Sequence, residues 1–182
     1  MMNDHGNPGI VIRPLATSDA NALHTAVRAS LASLSRWFPW AHPGYALADA
    51  ESRIAHCVAA RENGEEFAFG IFGADGELLG CTGLNQVNRA HRCANLGYWV
   101  GEAHRGRGVA TNAAARVAAI GFGELGLVRI EIVTLADNLA SQRVAGKLGA
   151  VREGRFRNRL VVDGQPQDGV VFSLVPNDLE RT

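Results

Sequence analysis

Residues 96–111 read LGYWVGEAHRGRGVAT, and this stretch contains the pattern that decides the fold. Its first five residues fit a strand, and a short loop with two spaced glycines, Gly106 and Gly108, follows them. The loop leads directly into an alanine-rich segment whose apolar residues recur at helical spacing, which predicts a helix over residues 107–125. The sequence therefore predicts a strand, a tight turn and a long helix in direct succession.

The same turn has the properties of a phosphate-binding site. Amide N–H groups at the start of a helix lack intrahelical partners and lie at the positive end of the helix dipole. Gly106 and Gly108 remove side chains that would keep a phosphate away from those amides, and Arg105 and Arg107 add cationic donors. The Walker A and dinucleotide patterns do not fit this glycine spacing. A tight turn with solvated arginines is the alternative interpretation.

The rest of the chain predicts a mixed α/β domain. Helical spacing predicts helices over residues 20–31, 49–63 and 138–148, with Thr17-Ser18-Asp19 capping the first. Alternation predicts strands over residues 10–15, 67–72, 78–87, 94–100 and 129–134, then two closing strands that flank Asp163-Gly164. A helical crossover joins the strands at 94–100 and 129–134, so this pair is expected to be parallel.

Composition excludes several classes of protein. Eighteen Lys and Arg balance eighteen Asp and Glu, so no bulk positive field exists to bind nucleic acid or an anionic membrane. Three separated cysteines fit neither a disulfide framework nor a zinc site. The longest uncharged run is the twelve residues 37–48, too short for a transmembrane helix. Because the N-terminus MMNDHGNPGI has no signal-peptide pattern, we expect a cytoplasmic protein.

Several motifs occur together and in order along nearly the whole chain. They are RPL at 13–15, the aromatic WFPW at 37–40, GYWV at 97–100, RGRGVA at 105–110, DNLAS at 137–141, KLGA at 147–150 and EGRFRN at 153–158. As a set they resemble the GNAT superfamily of acetyl-CoA N-acetyltransferases, and in particular its RimJ and RimL ribosomal-protein branch. The resemblance implies a mostly antiparallel sheet, splayed between two central parallel strands and flanked by helices. It also implies one domain over residues 1–182, with an ordered core over about 9–176.

The resemblance further implies that acetyl-CoA is the co-substrate, without a metal ion, and it suggests which residues bind it. The cofactor-binding residues expected from the family are Tyr98, Trp99 and Val100 on the strand, Arg105, Gly106, Arg107, Gly108, Val109, Ala110 and Thr111 in the turn, and Asn138 and Ser141 beyond it. Ser141 is the expected catalytic residue, as the proton donor to the departing thiolate. Trp37, Trp40 and Asn95 are expected on the acceptor side. An ordinary helix start at Asn138 and Ser141, and core packing of the tryptophans, are the alternatives.

The general base is where this sequence departs from the family. Many members carry a glutamate just before Gly-Tyr-Trp, where this chain has Asn95, and the acid often used on the sixth strand is missing from residues 159–162. An amide cannot accept the proton of the amine. A water relay, or a histidine such as His42 or His91, would then have to take the proton.

Three functions therefore stay open. The first is acetylation of the N-terminal α-amine of a protein, the second is acetylation of a small amine such as a polyamine, amino acid or aminoglycoside, and the third is acyl-CoA binding with little turnover. Arg155, Arg157 and Arg159 alternate, so we expect them to share one strand face, either as a patch for an acidic acceptor or as a solvated edge. The oligomeric state is left open, with a homodimer as one alternative.

Overall fold

One seven-stranded sheet forms the centre of the fold. The computed structural model describes residues 9–179; residues 1–8, which contain most of the N-terminal segment discussed above, lie outside this range. The strands are β1 (Val11–Pro14), β2 (Phe67–Phe72), β3 (Leu78–Asn88), β4 (Cys93–Val100), β5 (Arg129–Leu135), β6 (Val151–Val162) and β7 (Gln165–Leu174). Their order across the sheet is β1-β2-β3-β4-β5-β7-β6. The predicted mixed α/β fold is confirmed.

Helices cover both faces of this sheet. They are α1 (Ala20–Ala29), α2 (Leu31–Leu34), α3 (Leu47–Glu62), α4 (Val109–Gly123), α5 (Leu139–Lys147) and α6 (Pro176–Leu179). Alternate side chains of β3 and β4 reach the two layers. Leu84 and Leu96 pack in the cluster that contains α4, whereas Cys81 and Trp99 pack against the cluster built by α1 and α3. The sheet is therefore buried on both faces near its centre.

The two central strands separate after a short parallel pairing. β4 and β5 pair only through Cys93↔Arg129, Ala94↔Ile130 and Asn95↔Glu131, while all other neighbouring strands in the sheet are antiparallel. Beyond Asn95 each strand continues without the other, so the sheet is open between them. This confirms both the predicted parallel pair and the splayed sheet that the resemblance implies.

Small residues let α4 approach the sheet closely. Ala113, Ala114, Val117 and Ala118 are fully buried on its inner face. A Cβ at Gly121 would lie 2.9 Å from Ile130 Cδ1 and 3.0 Å from Leu84 Cδ1, closer than van der Waals contact allows. The alanine and glycine spacing in the sequence thus fixes the position of the helix that follows the predicted phosphate turn.

Two helix boundaries differ from the prediction. The helix expected from residue 107 begins at Val109, because Gly106 and Gly108 have φ angles of +76° and +77°, which a right-handed helix cannot contain. The helix expected over residues 20–31 ends at Ala29, and Ser30, with φ −117°, starts the separate turn α2.

The predicted capping role of Thr17-Ser18-Asp19 was wrong in its detail. These residues form a 3₁₀ turn, and Asp19 makes no side-chain cap to α1. Its carboxylate instead accepts hydrogen bonds from the Ala16 amide at 2.7 Å and from Arg13 Nη1 and Nη2 at 2.7 and 2.8 Å. The hydrogen bonds from Arg13 are the main cause that lowers the pKa of this carboxyl.

Replacing Asp19 with asparagine should therefore destabilise the protein by about 1–3 kcal/mol at neutral pH, because Arg13 loses a bidentate anionic partner. Arg13 is 44% exposed, so solvent screening favours the lower end of that range. Since the folded pKa is lowered, the contribution is present above the unfolded pKa of about 3.9 and is lost as pH falls through the folded value. Urea unfolding at several pH values, with Glu51→Gln as a surface control, measures the free energy of unfolding of the wild type and of Asp19→Asn. A difference between these two proteins that grows below pH 4 would contradict the prediction.

Candidate active site

A cleft of about 670 Å³ opens where β4 and β5 separate. Residues 97–100 of β4 line one side, and residues 132–135 of β5 line the other. Because the strands no longer pair with each other here, their facing amides and carbonyls can bind an extended ligand as another strand would. The predicted residues Tyr98, Trp99 and Val100 all lie on this cleft, and so do Asn138 and Ser141.

The glycine turn stands at one end of this cleft. Gly108 is the N-cap of α4, and both it and Gly106 have the left-handed conformation that favours glycine. Val109 is 4% exposed and packs in a buried apolar cluster with Ile71 and Ala113, so its side chain belongs to the core. The amides of the first turn of α4, at Val109, Ala110 and Thr111, therefore present the geometry of an anion site.

The two arginines of the turn differ in position. Arg105 lines the cleft, and its Nη2 donates to Ser33 Oγ at 2.9 Å, which ties the turn to α2. Arg107 is exposed and is not part of the cleft lining. A direct role for Arg107 in binding a phosphate stays a prediction.

Hydrogen bonds across the cleft join β4 to α5. The Tyr98 hydroxyl donates to the Ser141 carbonyl at 3.0 Å and lies 3.1 Å from Ser141 Oγ. Asn138 Oδ1 accepts the Ser141 amide at 3.1 Å as the N-cap of α5, so its Nδ2 is the group through which it can donate to a ligand. Burial is the main cause that raises the pKa of Tyr98 to about 12, so its phenol stays protonated at neutral pH.

A second cavity, of about 950 Å³, lies on the other side of β4, between the sheet and helices α1 and α3. Residues with little or no side chain form its floor, since Ala68, Gly83 and Gly97 are register partners across β2, β3 and β4. A Cβ at Gly97 would meet only Asn85 Nδ2, at 3.5 Å, so the space above this glycine is open. No role was predicted for these residues from the sequence.

Aromatic rings form one wall of this second cavity, which we call the acceptor-side cavity because Trp40, one of its lining residues, was predicted on the acceptor side. The rings of Trp40 and Trp99 have centroids 6.2 Å apart, and Trp40 and Tyr45 are separated by the same distance. Trp37 lies instead on the cleft between β4 and β5, and Phe38 lines both the cleft and the cavity. Trp37 and Trp40, predicted together on the acceptor side, are thus divided between the two spaces.

Charged residues lie at another part of the acceptor-side cavity. Arg53 donates to both carboxylate oxygens of Glu66, and His56 Nε2 is 3.3 Å from the same carboxylate. Asp49 also lines this cavity, and its Oδ2 accepts the Ala46 amide at 2.7 Å. These residues were missed, although Asp49, Arg53 and His56 recur at i, i+4 and i+7, which places them on one helix face.

The cleft and the cavity meet at uncharged residues. Five residues line both the cleft and the cavity, and they are Phe38, Asn85, Gly97, Tyr98 and Trp99. Beside them, Asn95 Nδ2 donates to Asn85 Oδ1 at 3.0 Å. Asn95 Oδ1 is buried and has no hydrogen-bond partner within residues 9–179. An orphaned acceptor at this position is suited to an N–H donor from a ligand.

Residues 10–151 match the family described as "Acetyltransferase (GNAT) domain". The chain belongs to the GNAT acetyltransferase family. Membership agrees with the splayed strands and the glycine turn that the resemblance predicted. The protein is thus an acetyl-CoA-dependent N-acetyltransferase.

The names of curated relatives of this GNAT chain do not agree on one acceptor. It is 33% identical over 176 residues to the probable N-acetyltransferase YjcK of Bacillus subtilis, which covers 94% of this chain and 97% of YjcK. It is 29% identical to the putative ribosomal N-acetyltransferase YdaF of the same organism, over 96% and 95% of the two chains. It is also 26% identical to the spermidine N(1)-acetyltransferase of Escherichia coli, over 88% and 83%.

A solved relative supports the same assignment of fold and co-substrate. The structure of Mycobacterium smegmatis RimJ in complex with CoA-disulfide superposes with a TM-score of 0.84, at 27% identity over 94% of this chain and 85% of that one. Within residues 9–179, no group of three or more His, Cys, Asp or Glu side chains is placed to hold a metal ion. None of the helices in that range is long and apolar enough to span a bilayer.

Proposed function

We propose that this enzyme acetylates the N-terminal α-amine of a protein. The observation that carries the proposal is the chemistry of the junction between cleft and cavity, where the shared lining residues are uncharged and the Asn85–Asn95 amide pair lies in place of a carboxylate. The name of YdaF, a putative ribosomal N-acetyltransferase, supports a protein acceptor.

The acceptor must be neutral to attack a thioester. An α-amine has a pKa of about 7.7–8.0, so roughly a tenth of it is neutral at pH 7. A lysine side chain, with a pKa of about 10.4, is neutral in well under a hundredth of molecules, and its deprotonation requires roughly 3–4 kcal/mol more. Without a carboxylate at the junction, the site favours an amine that needs little help to lose its proton.

The carboxylates of the acceptor-side cavity are engaged elsewhere. Both oxygens of Glu66 accept from Arg53, and one oxygen of Asp49 accepts the Ala46 amide. These contacts suit groups that shape and polarise the cavity rather than a free general base. The amine proton would then leave through water.

The residues present divide the reaction between them. The strand backbone at Tyr98–Val100 would bind the thioester carbonyl and the adjoining arm, and the first amides of α4 would bind the pyrophosphate. Asn95 Oδ1 would accept one N–H of the amine and orient its lone pair. The N–C bond forms, the C–S bond breaks with its electron pair on sulfur, and Ser141 Oγ–H gives that sulfur its proton before water restores the hydroxyl.

The test uses two isomeric peptides of one sequence. The first has a free α-amine and an acetylated lysine, and the second has an acetylated α-amine and a free lysine. We expect kcat/KM at neutral pH to be roughly 100-fold or more higher for the first peptide. It should rise with pH and level near the acceptor's own pKa. A preference for the lysine peptide, or control by an enzyme group that titrates between pH 6 and 7, would mean that a base such as His42 or His91 acts.

A small-molecule amine is the second candidate, and one observation favours it. The acceptor-side cavity of about 950 Å³ is as large as those that bind whole small ligands, and it combines aromatic walls with the Arg53–Glu66 pair. Thiol release measured with polyamines, amino acids and aminoglycosides beside the first peptide distinguishes the two candidates. The higher kcat/KM identifies the acceptor class.

Two further expectations belong to this proposal. We propose a cytoplasmic location, where acetyl-CoA and nascent protein N-termini are both present. A homodimer stays a prediction, which sedimentation of the purified full chain would test.

A further inference from the structure

We infer that Tyr98 is a positioning residue for Ser141. Its phenol holds the serine hydroxyl in the cleft and stabilises the serine oxygen while the serine proton moves to sulfur. This inference rests on the proposed role of Ser141 as the proton donor. It assigns a side-chain role to a residue that was otherwise expected to act through its backbone.

The geometry places one phenol against two oxygens of one residue. The Tyr98 hydroxyl lies 3.0 Å from the Ser141 carbonyl and 3.1 Å from Ser141 Oγ, across 43 residues of chain and across the opening between β4 and α5. A phenol has one hydrogen, so it can donate to only one of these oxygens at a time. The contact therefore has two arrangements.

The two arrangements differ in what the serine hydrogen can do. When the phenol donates to the carbonyl, Ser141 can donate its own hydrogen to the phenol oxygen. When the phenol donates to Ser141 Oγ, the serine hydrogen is directed elsewhere and can point at a thiolate in the cleft. Tyr98 thus selects the serine rotamer that is competent for proton transfer.

The second arrangement also stabilises charge. As the Ser141 O–H bond breaks and the S–H bond forms, negative charge builds on Oγ, and a hydrogen bond to a charged oxygen is about twice as strong as one to a neutral oxygen. Tyr98 acts through Ser141, because its one hydrogen is directed at a Ser141 oxygen in both arrangements. Water returns the proton to Ser141 after the thiol leaves.

The test is a double-mutant cycle in the full-length enzyme with acetyl-CoA and the preferred amine. We expect Tyr98→Phe to lower kcat about tenfold with little change in the KM for acetyl-CoA, because the lost hydrogen bond acts mainly in the transition state. In a Ser141→Ala background, Tyr98→Phe should change kcat less than twofold. Ser173→Ala removes a buried hydroxyl that contacts Glu153, away from the cleft, and serves as the matched control.

Each outcome separates the two proposals. If Ser141→Ala keeps full turnover, both the proton-donor role and this inference are overturned. If Ser141→Ala is slow while Tyr98→Phe has the wild-type kcat, only the inference is overturned. An equal loss from Tyr98→Phe in both backgrounds, or a rise in KM without a fall in kcat, would show a structural role and would also overturn it. Thermal unfolding of each variant verifies that it folds.

Discussion

Replacing Gly108 with glutamate is expected to abolish CoA binding while the protein still folds. Gly108 is the N-cap of α4, so a side chain there projects from the point at which the first amides of the helix converge. A carboxylate at that point would occupy the proposed pyrophosphate position and would repel the phosphates. We expect CoA affinity to fall at least 100-fold, about 3 kcal/mol at about 1.4 kcal/mol per tenfold.

Two controls separate charge from backbone strain. Gly108 has φ +77°, so any other residue is strained there; asparagine tolerates this conformation best and adds no charge. Gly108→Asn should therefore lose much less affinity than Gly108→Glu. Gly126 is exposed beyond α4 with φ +63°, so Gly126→Glu introduces similar strain and charge away from the cleft and should bind CoA normally. Calorimetry with CoA measures all three variants, and unchanged affinity in Gly108→Glu would remove the turn from the binding site.

Much of the central sheet could be predicted because its signals are local. β5 alternates between buried and partly exposed residues, β2 is a short and almost entirely apolar run, and a helix too long for a hairpin joins β4 to β5. The parallel pairing follows from that connection alone. Neither strand's own sequence predicts that β4 and β5 separate after Asn95, and this separation was expected only from the family resemblance.

The last hairpin shows where alternation fails. Arg155, Arg157 and Arg159 were expected to share one face, but two extra residues interrupt the pairing of β6 with β7 between Phe156 and Leu160, and Asn158 has φ +52°. Phe156 pairs with Gly169, and a Cβ on Gly169 would lie 3.1 Å from Arg159 Cβ. Arg159 thus lies on the face of Phe156, opposite Arg155. A bulge of this kind depends on cross-strand register, which the strand sequence does not reveal.

The acceptor-side cavity was the least predictable part of the candidate site. The helical spacing of Asp49, Arg53 and His56 indicates a shared face, but a charged helix face usually points to solvent. Here it faces a cavity because Gly97, which has open space above it, leaves room on the sheet opposite it. Predicting this cavity requires knowing how α3 packs against the sheet, which no single element reveals. By contrast, Ser141 follows a recognisable motif, and the structure places it on the cleft.

Ser141→Ala is expected to lower kcat by roughly 10²-fold while leaving the affinity for CoA nearly intact. The hydroxyl lies on the cleft beside Tyr98. In the proposed mechanism, its removal leaves the departing thiolate without a positioned donor. The Asn138 cap accepts the Ser141 amide, not its hydroxyl, so alanine keeps the start of α5. A defect in folding is therefore not the expected cause of the loss.

The dependence on the leaving group makes this prediction specific. Acyl donors whose thiols are more acidic need less help from a proton donor, so the ratio of wild-type to Ser141→Ala rates should shrink as the thiol pKa falls. Ser141→Cys, which retains a weak S–H donor, should recover part of the lost kcat with acetyl-CoA. A constant ratio across donors would indicate that Ser141 acts in binding or in helix capping, and full turnover by Ser141→Ala would leave it a helix-start residue with no part in the proton transfer.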